Sequence, residues 1–109
     1  MPEKAAGLVQ GTLDMLILKT LALEPMHSYD IGARLARVSQ GVFQVNAGSL
    51  FPAFRRLERA GLIRGEWRAT ENNRRARYYI VTARGLRRLG AETREWRRLA
   101  GAIARILEA

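Results

Sequence analysis

Apolar positions follow a helical period at both ends of the chain and a strand-like run between them, and the changes of period mark the elements. From Leu8 to Leu23 they fall at Val9, Leu13, Leu16, Ile17 and Leu21, and Pro25 stops the pattern, which predicts a helix buried over much of its circumference. Ser28 can cap a second helix, with Asp30 near its positive dipole end, Ile31, Leu35 and Val38 on one stripe, and Gly41 to close it. Asn46 is the next cap, followed by the stripe Leu50, Phe54 and Leu57, and Gly61 is placed to end that third helix in a left-handed conformation. Pro52 falls inside it, so the helix either begins after that residue or bends there.

Beyond Leu62 and Ile63 come two strand-like stretches, Arg64 to Thr70 and Arg77 to Thr82, joined by a hairpin loop from Glu71 to Ala76. Trp67 reads as a packing residue at the base of this hairpin, and the run Tyr78 to Val81 leaves open which of Tyr78 and Tyr79 faces inward. Thr82 then caps a last helix from Ala83 to Leu107, a rod of about 37 Å. Its Leu86, Leu89, Thr93, Trp96, Ala100 (or Leu99), Ile103 and Ile106 alternate spacings of three and four, the pattern of a helix–helix seam. The order predicts a mainly α fold with a small β-wing (α+β): a winged helix-turn-helix over 8–82, then a long C-terminal dimerisation helix over 83–109 packed on the same domain. Residues 1–7 read as a short flexible tail and His27 as part of the turn between the first two helices.

Charge sharpens this picture. The chain carries +9, and all of it lies between Arg55 and Arg98, where fourteen arginines face five acids; the residues before and after each sum to zero. A field confined in this way favours a polyanion, and the forked arginine donors suit phosphates and guanine edges. At 109 residues the chain builds one compact core. With no cysteine and a single histidine, no disulfide, metal centre or other cofactor is expected, and a reducing cytoplasm fits. The most apolar run, Met15 to Leu23, contains Lys19 and Thr20 and is far short of a membrane span, and residues 1–7 lack a signal-peptide pattern.

On the third helix Gly48, Pro52, Arg55, Arg56 and Arg59 cluster opposite the apolar stripe. Laid in a major groove, Asn46 and Ser49 would read bases while the three arginines reach phosphates or guanine. An isolated cationic helix face is more often merely solvated. Here the wing adds Asn72, Asn73, Arg74, Arg75 and Arg77 beside it, which favours double-stranded DNA. Trp96, in mid-seam, could stack on a planar ligand between protomers, although an aromatic in a dimer core is the commoner arrangement. The competing reading is a winged-helix module that binds RNA or a partner protein; for RNA, exposed aromatics should interleave with the basic patch. An enzyme is disfavoured by the lack of paired carboxylates on one face, of a phosphate-cradling glycine loop and of metal ligands.

With these segments placed, the chain resembles the PadR family of bacterial transcriptional regulators from about Gly11 to Leu107. The matching pieces are Gly11-Thr12-Leu13 with Leu16-Ile17-Leu18; Pro25, His27, Tyr29 and Ile31; Gly48-Ser49-Leu50-Phe51-Pro52 with Leu57; Gly61-Leu62-Ile63; and Tyr78-Tyr79 with Thr82 and Gly85. Ser28 stands where the family usually has glycine, Phe51 where it has tyrosine and Phe54 where leucine is common; a tyrosine hydroxyl on a phosphate would be lost with Phe51. The single C-terminal helix looks like the short-tailed subgroup. The resemblance implies a homodimer through the first helix, with Leu13 and Ile17 in the interface, and through the last, with Leu89, Trp96, Leu99, Ile103 and Ile106. It further implies repression by promoter occupancy, often autoregulation, inverted-repeat operators related to ATGT and ACAT, and in some members release by a small aromatic or hydrophobic ligand held between protomers.

Overall fold

The computed structural model describes the backbone of residues 2–109 and the side chains of residues 11–109. Helix α1 spans Pro2–Leu23, so the stretch expected as a tail is helical from residue 2, with Met1 outside the described residues. Proline is tolerated in a first turn, where its missing donor has no intrahelical partner, and Ala5 and Ala6 favour helix. Leu13, Ile17, Leu18, Thr20 and Leu21 are all buried, and the Thr20 hydroxyl donates to the Leu16 carbonyl at 2.9 Å. α1 is the spine on which the other helices and the sheet rest.

Past Pro25 the chain makes a two-residue strand, β1 (Met26–His27), which the sequence pattern did not announce. The turn expected at His27 is therefore extended backbone, and the Nδ1 of His27 accepts from the Tyr29 amide at 3.0 Å, so His27 rather than Ser28 caps α2 (Ser28–Val38). Ser28 is itself buried as the first helical residue. Ile31 and Leu35 are buried as expected, but Val38 is exposed because α2 outruns the core by its last turn. The helix is closed one residue earlier than expected, by Gln40 in a left-handed conformation (φ 55°) with its amide donating to the Arg37 carbonyl, and Gly41 (φ 85°) follows, its amide donating to the Ala36 carbonyl at 2.7 Å.

Helix α3 (Ala47–Arg59) begins before Pro52 and continues through it. The missing Pro52 donor leaves the carbonyl four residues back, that of Gly48, without a helical partner, and Gly48 is exposed, so solvent can serve it. The Asn46 Oδ1 accepts from the Ser49 amide at 3.0 Å, and Gly61 (φ 74°) ends the segment while the Leu62 amide donates to the Leu57 carbonyl. Strands β2 (Ile63–Ala69) and β3 (Arg75–Val81) pair antiparallel from Ile63↔Val81 to Ala69↔Arg75, and β1 adds to the other edge of β3, giving the order β1-β3-β2. The hairpin loop is shorter than predicted. Asn73 takes a left-handed conformation (φ 60°) and donates its amide to the Thr70 carbonyl, a backbone position that asparagine tolerates well.

Tyr79 is the inward member of its pair, tilted against Phe54 at 4.6 Å between centroids; Tyr78 lies on the opposite face, edge-on to His27. Leu50, Phe54 and Leu57 of α3 meet Leu13, Ile17 and Leu21 of α1, Ile31 and Leu35 of α2, and Ile63 of β2 in one core. The Thr82 Oγ1 accepts from the Gly85 amide at 3.0 Å and donates to the Gly61 carbonyl at 2.7 Å, which caps α4 (Ala83–Glu108) and ties its start to the beginning of β2. At about 39 Å, α4 packs on α1, with Leu89 against the core, and most of its residues are exposed. The architecture is a winged helix-turn-helix of the α+β class with one added long helix.

Candidate nucleic-acid interface

On α3 the apolar residues face the core, and the residues left in water are Ala47, Gly48, Phe51, Arg55 and Arg59, a single line along the helix. Phe51 is held edge-on to Phe54 at 5.7 Å. Arg56 lies beside this line rather than on it, since its guanidinium donates to Asp14 of α1 at 2.8 Å. Asn46 uses one lone pair of its side-chain oxygen on the helix cap, and its amide nitrogen is left to meet a base edge. Ser49 is half-buried behind it.

The two faces of the wing differ in charge because residues two apart share a face. On one, Arg64 and Arg68 both grip Glu66, at 3.1 and 2.6 Å, and Arg68 lies over Tyr78. The Arg68 hydrogen bond, aided by Arg64, holds the Glu66 carboxyl below its ordinary range. The other face carries Trp67, Arg75 and Arg77. Arg77 reaches Glu58 in the last turn of α3 at 2.7 Å; burial would depress its charge, but hydrogen bonds to Glu58 and Tyr79 keep the guanidinium pKa raised. Arg55, Arg59, Arg74 and Arg75 have no carboxylate partner among the described residues. Four unpaired arginines thus stand on the outer line of α3 and the wing tip, and a further set, Arg84, Arg87, Arg94, Arg97 and Arg105, lies along α4.

Along α4, Leu86, Trp96, Leu99, Ile103, Ile106 and Leu107 are exposed, with Arg98 paired to Glu95 at 2.7 Å and Arg88 facing Glu92 at 3.8 Å beside them. Residues 17–91 match the family model described as the transcriptional regulator PadR-like family. The chain belongs to the PadR-like family of transcriptional regulators. Solved structures agree. A PadR family transcriptional regulator from Eggerthella lenta is 32% identical, with 99% of this chain and 92% of that one covered and a TM-score of 0.81. A transcriptional regulator from Clostridium thermocellum is 24% identical over 91% of this chain and 96% of that one, with a TM-score of 0.83. A PadR-like regulator from Bacillus cereus is 23% identical over 94% and 98%, with a TM-score of 0.82.

For this PadR-like chain the structure brings Gly48, Phe51, Arg55 and Arg59 together, with Asn73, Arg74 and Arg75 on the wing, and it separates out others. Leu13 and Ile17, expected in a dimer interface, are 6% and 0% exposed inside the protomer's own core and have no surface to offer a partner. Leu89 is packed partly against that core. Trp96, Leu99, Ile103 and Ile106 stay open. A cleft of about 320 Å³ lies between the end of α1, β1 and α2, lined by Glu24, His27, Arg34 and Tyr78 among others; Trp96 is not part of it. Sequence reasoning missed Trp67: it is 55% exposed, with Arg75 and Arg77 at 5.6 and 5.5 Å from its ring, not packed at the base of the wing. The cross-strand spacing of that tryptophan and two arginines was the signal available. Among the described residues no helix is long and apolar enough to cross a membrane, and no group of His, Cys, Asp or Glu could hold a metal ion.

Proposed function

We propose that this PadR-like regulator binds duplex DNA in a sequence-specific manner, as a homodimer that represses transcription from an inverted-repeat site. The observation that carries the reading is the set of unpaired arginines shared by α3 and the wing. Arginines on the far face of the wing and against α1 are neutralised by carboxylates, whereas Arg55, Arg59, Arg74 and Arg75 stand without such partners on two adjacent elements. Such a surface suits a recognition helix in a major groove with the wing tip against the neighbouring backbone or minor groove. The outer line of α3 offers little hydrogen-bonding capacity near its start, so Phe51 supplies an apolar contact suited to a thymine methyl, and Arg55 suits guanine or phosphate.

Dimerisation is supported by the exposed apolar stripe of α4, which a second copy would cover along a two-fold axis, presenting two copies of α3 to half-sites about one helical turn apart. A small planar effector would enter this seam beside Trp96. Selection of binding sites from a random duplex library at about 150 mM salt tests the reading. An enriched inverted repeat is expected, with Arg55→Ala and Arg75→Ala each weakening binding while fold and dimer persist. Binding without enrichment, or equal competition by RNA, would transfer the proposal to a general nucleic-acid or partner-protein role.

A further inference from the structure

The register of the wing puts Trp67 opposite Arg77 and Ala69 opposite Arg75, on the same face as the pairs Gly65↔Tyr79 and Ile63↔Val81. That face packs on α3 through Tyr79 and Phe54. Trp67 therefore lies on the α3 side of the wing, one step beyond the core, between the end of α3 and the hairpin tip. It is also built in place. Arg77 lies across Gly65, where an added Cβ would sit 2.7 Å from the guanidinium nitrogens, and it is tied to Glu58 on α3 while its charge sits 5.5 Å from the Trp67 ring centre. Arg75 approaches the same ring at 5.6 Å. An indole held this firmly and left half in water forfeits burial that a strand tryptophan ordinarily gains.

We propose that Trp67 is a DNA-backbone contact: its open surface packs on deoxyribose of the strand running between the groove entered by α3 and the groove reached by the wing tip. The inference rests on the DNA-binding reading given above. The chemistry matches on both sides. A deoxyribose is an apolar patch between two phosphates, and Trp67 is an apolar patch between two guanidiniums. Because every nucleotide has the same sugar, this contact raises affinity for all duplexes and carries no sequence preference.

The test uses the full chain labelled with 5-fluorotryptophan, whose two fluorine resonances belong to Trp67 and Trp96 and are assigned by the loss of one in Trp67→Phe. The probe is a mixed-sequence duplex of about 24 base pairs at about 50 mM salt, with binding followed in parallel by fluorescence anisotropy of the labelled duplex. The Trp67 resonance is expected to move on saturation. Trp67→Leu should bind about five- to tenfold more weakly, with Trp67→Phe in between, and with an unchanged slope of log affinity against log salt, since no phosphate contact is lost. A shallower slope in Trp67→Leu would mean that the indole only props its arginines, and would overturn the proposal. So would a duplex that binds while the Trp67 resonance and the Trp67→Leu affinity stay as they are, a result that leaves the DNA-binding reading intact. A duplex that gives no anisotropy change at all would remove both.

Discussion

Gly85 offers a sharp test of how α4 is joined to the domain. It is buried in the first turn of α4, and a Cβ built there would stand 2.1 Å from the Leu62 carbonyl oxygen, 2.8 Å from the Val81 Cγ2 and 3.1 Å from the Leu62 carbonyl carbon. A carbon and a carbonyl oxygen normally approach no closer than about 3.3 Å, so Gly85→Ala must drive α4 and the start of β2 apart by roughly 1 Å. Two backbones, not a flexible side chain, have to give way. Such overpacking typically costs about 1–3 kcal/mol. The displacement also strains the Thr82 hydroxyl, which bridges Gly61 and the Gly85 amide at 2.7 and 3.0 Å, a cap worth about 1 kcal/mol. Alanine's better helix propensity returns somewhat less than about 1 kcal/mol. The net loss is about 1–3 kcal/mol, which for a domain of this size lowers Tm by roughly 5–20 °C. Thermal unfolding followed by circular dichroism, at matched protomer concentration, measures it. The control is Gly90→Ala on the same helix, where the nearest atom to the new Cβ is an Arg94 guanidinium nitrogen at 3.5 Å; there Tm should hold or rise by a few degrees. A Gly85→Ala Tm within about 3 °C of the parent would refute the reasoning.

Glu58→Gln removes the carboxylate that engages Arg77, so DNA binding at low salt should tighten about two- to fivefold and the salt slope steepen by about one; weaker binding would show that Glu58 orients Arg77 for contact instead. Asn46→Ala should cost about 1 kcal/mol of stability in chemical denaturation, and Asn46→Ser should restore most of it, because serine also accepts from the third amide of α3; equal loss in both would deny the cap. Burial raises the Tyr79 phenol above the usual tyrosine value, Arg77 opposes through its hydrogen bond, and the Glu58 charge adds to the rise. The fold thus favours the neutral phenol, a contribution fully present below the ordinary tyrosine pKa and lost as pH climbs through the raised one. In a phenolate absorbance titration a phase above the ordinary tyrosine value should appear, and Tyr79→Phe should abolish it.

Much of the architecture was legible in the chain because its signals are local. Asn46, Thr82 and Gly61 each act on neighbours within a turn or two, and the helices they bound stand where those residues put them. β1 was not legible, because two residues become a strand only by pairing with Tyr78 and Tyr79 some fifty positions later. The same blindness touched the candidate site. Nothing in a helical wheel tells that Arg56 is held by Asp14, or Arg77 by Glu58, across large sequence separations. Nor can an apolar helix reveal which of its sides meets its own protomer, and Leu13 and Ile17 were misread for that reason.

The one-core design has a mechanical consequence. Leu13, Ile17 and Leu21 of α1 lock directly onto Leu50, Phe54 and Leu57 of α3, and α4 rests on the same spine, with no joint between the helix at one end and the arginines at the other. Such a protomer is a lever without an elbow. In the homodimer proposed above, a signal that altered grip on DNA would have little to bend inside either copy and would act where the two levers meet, by changing their mutual angle, so that a slight tilt at α4 became a larger sweep at α3.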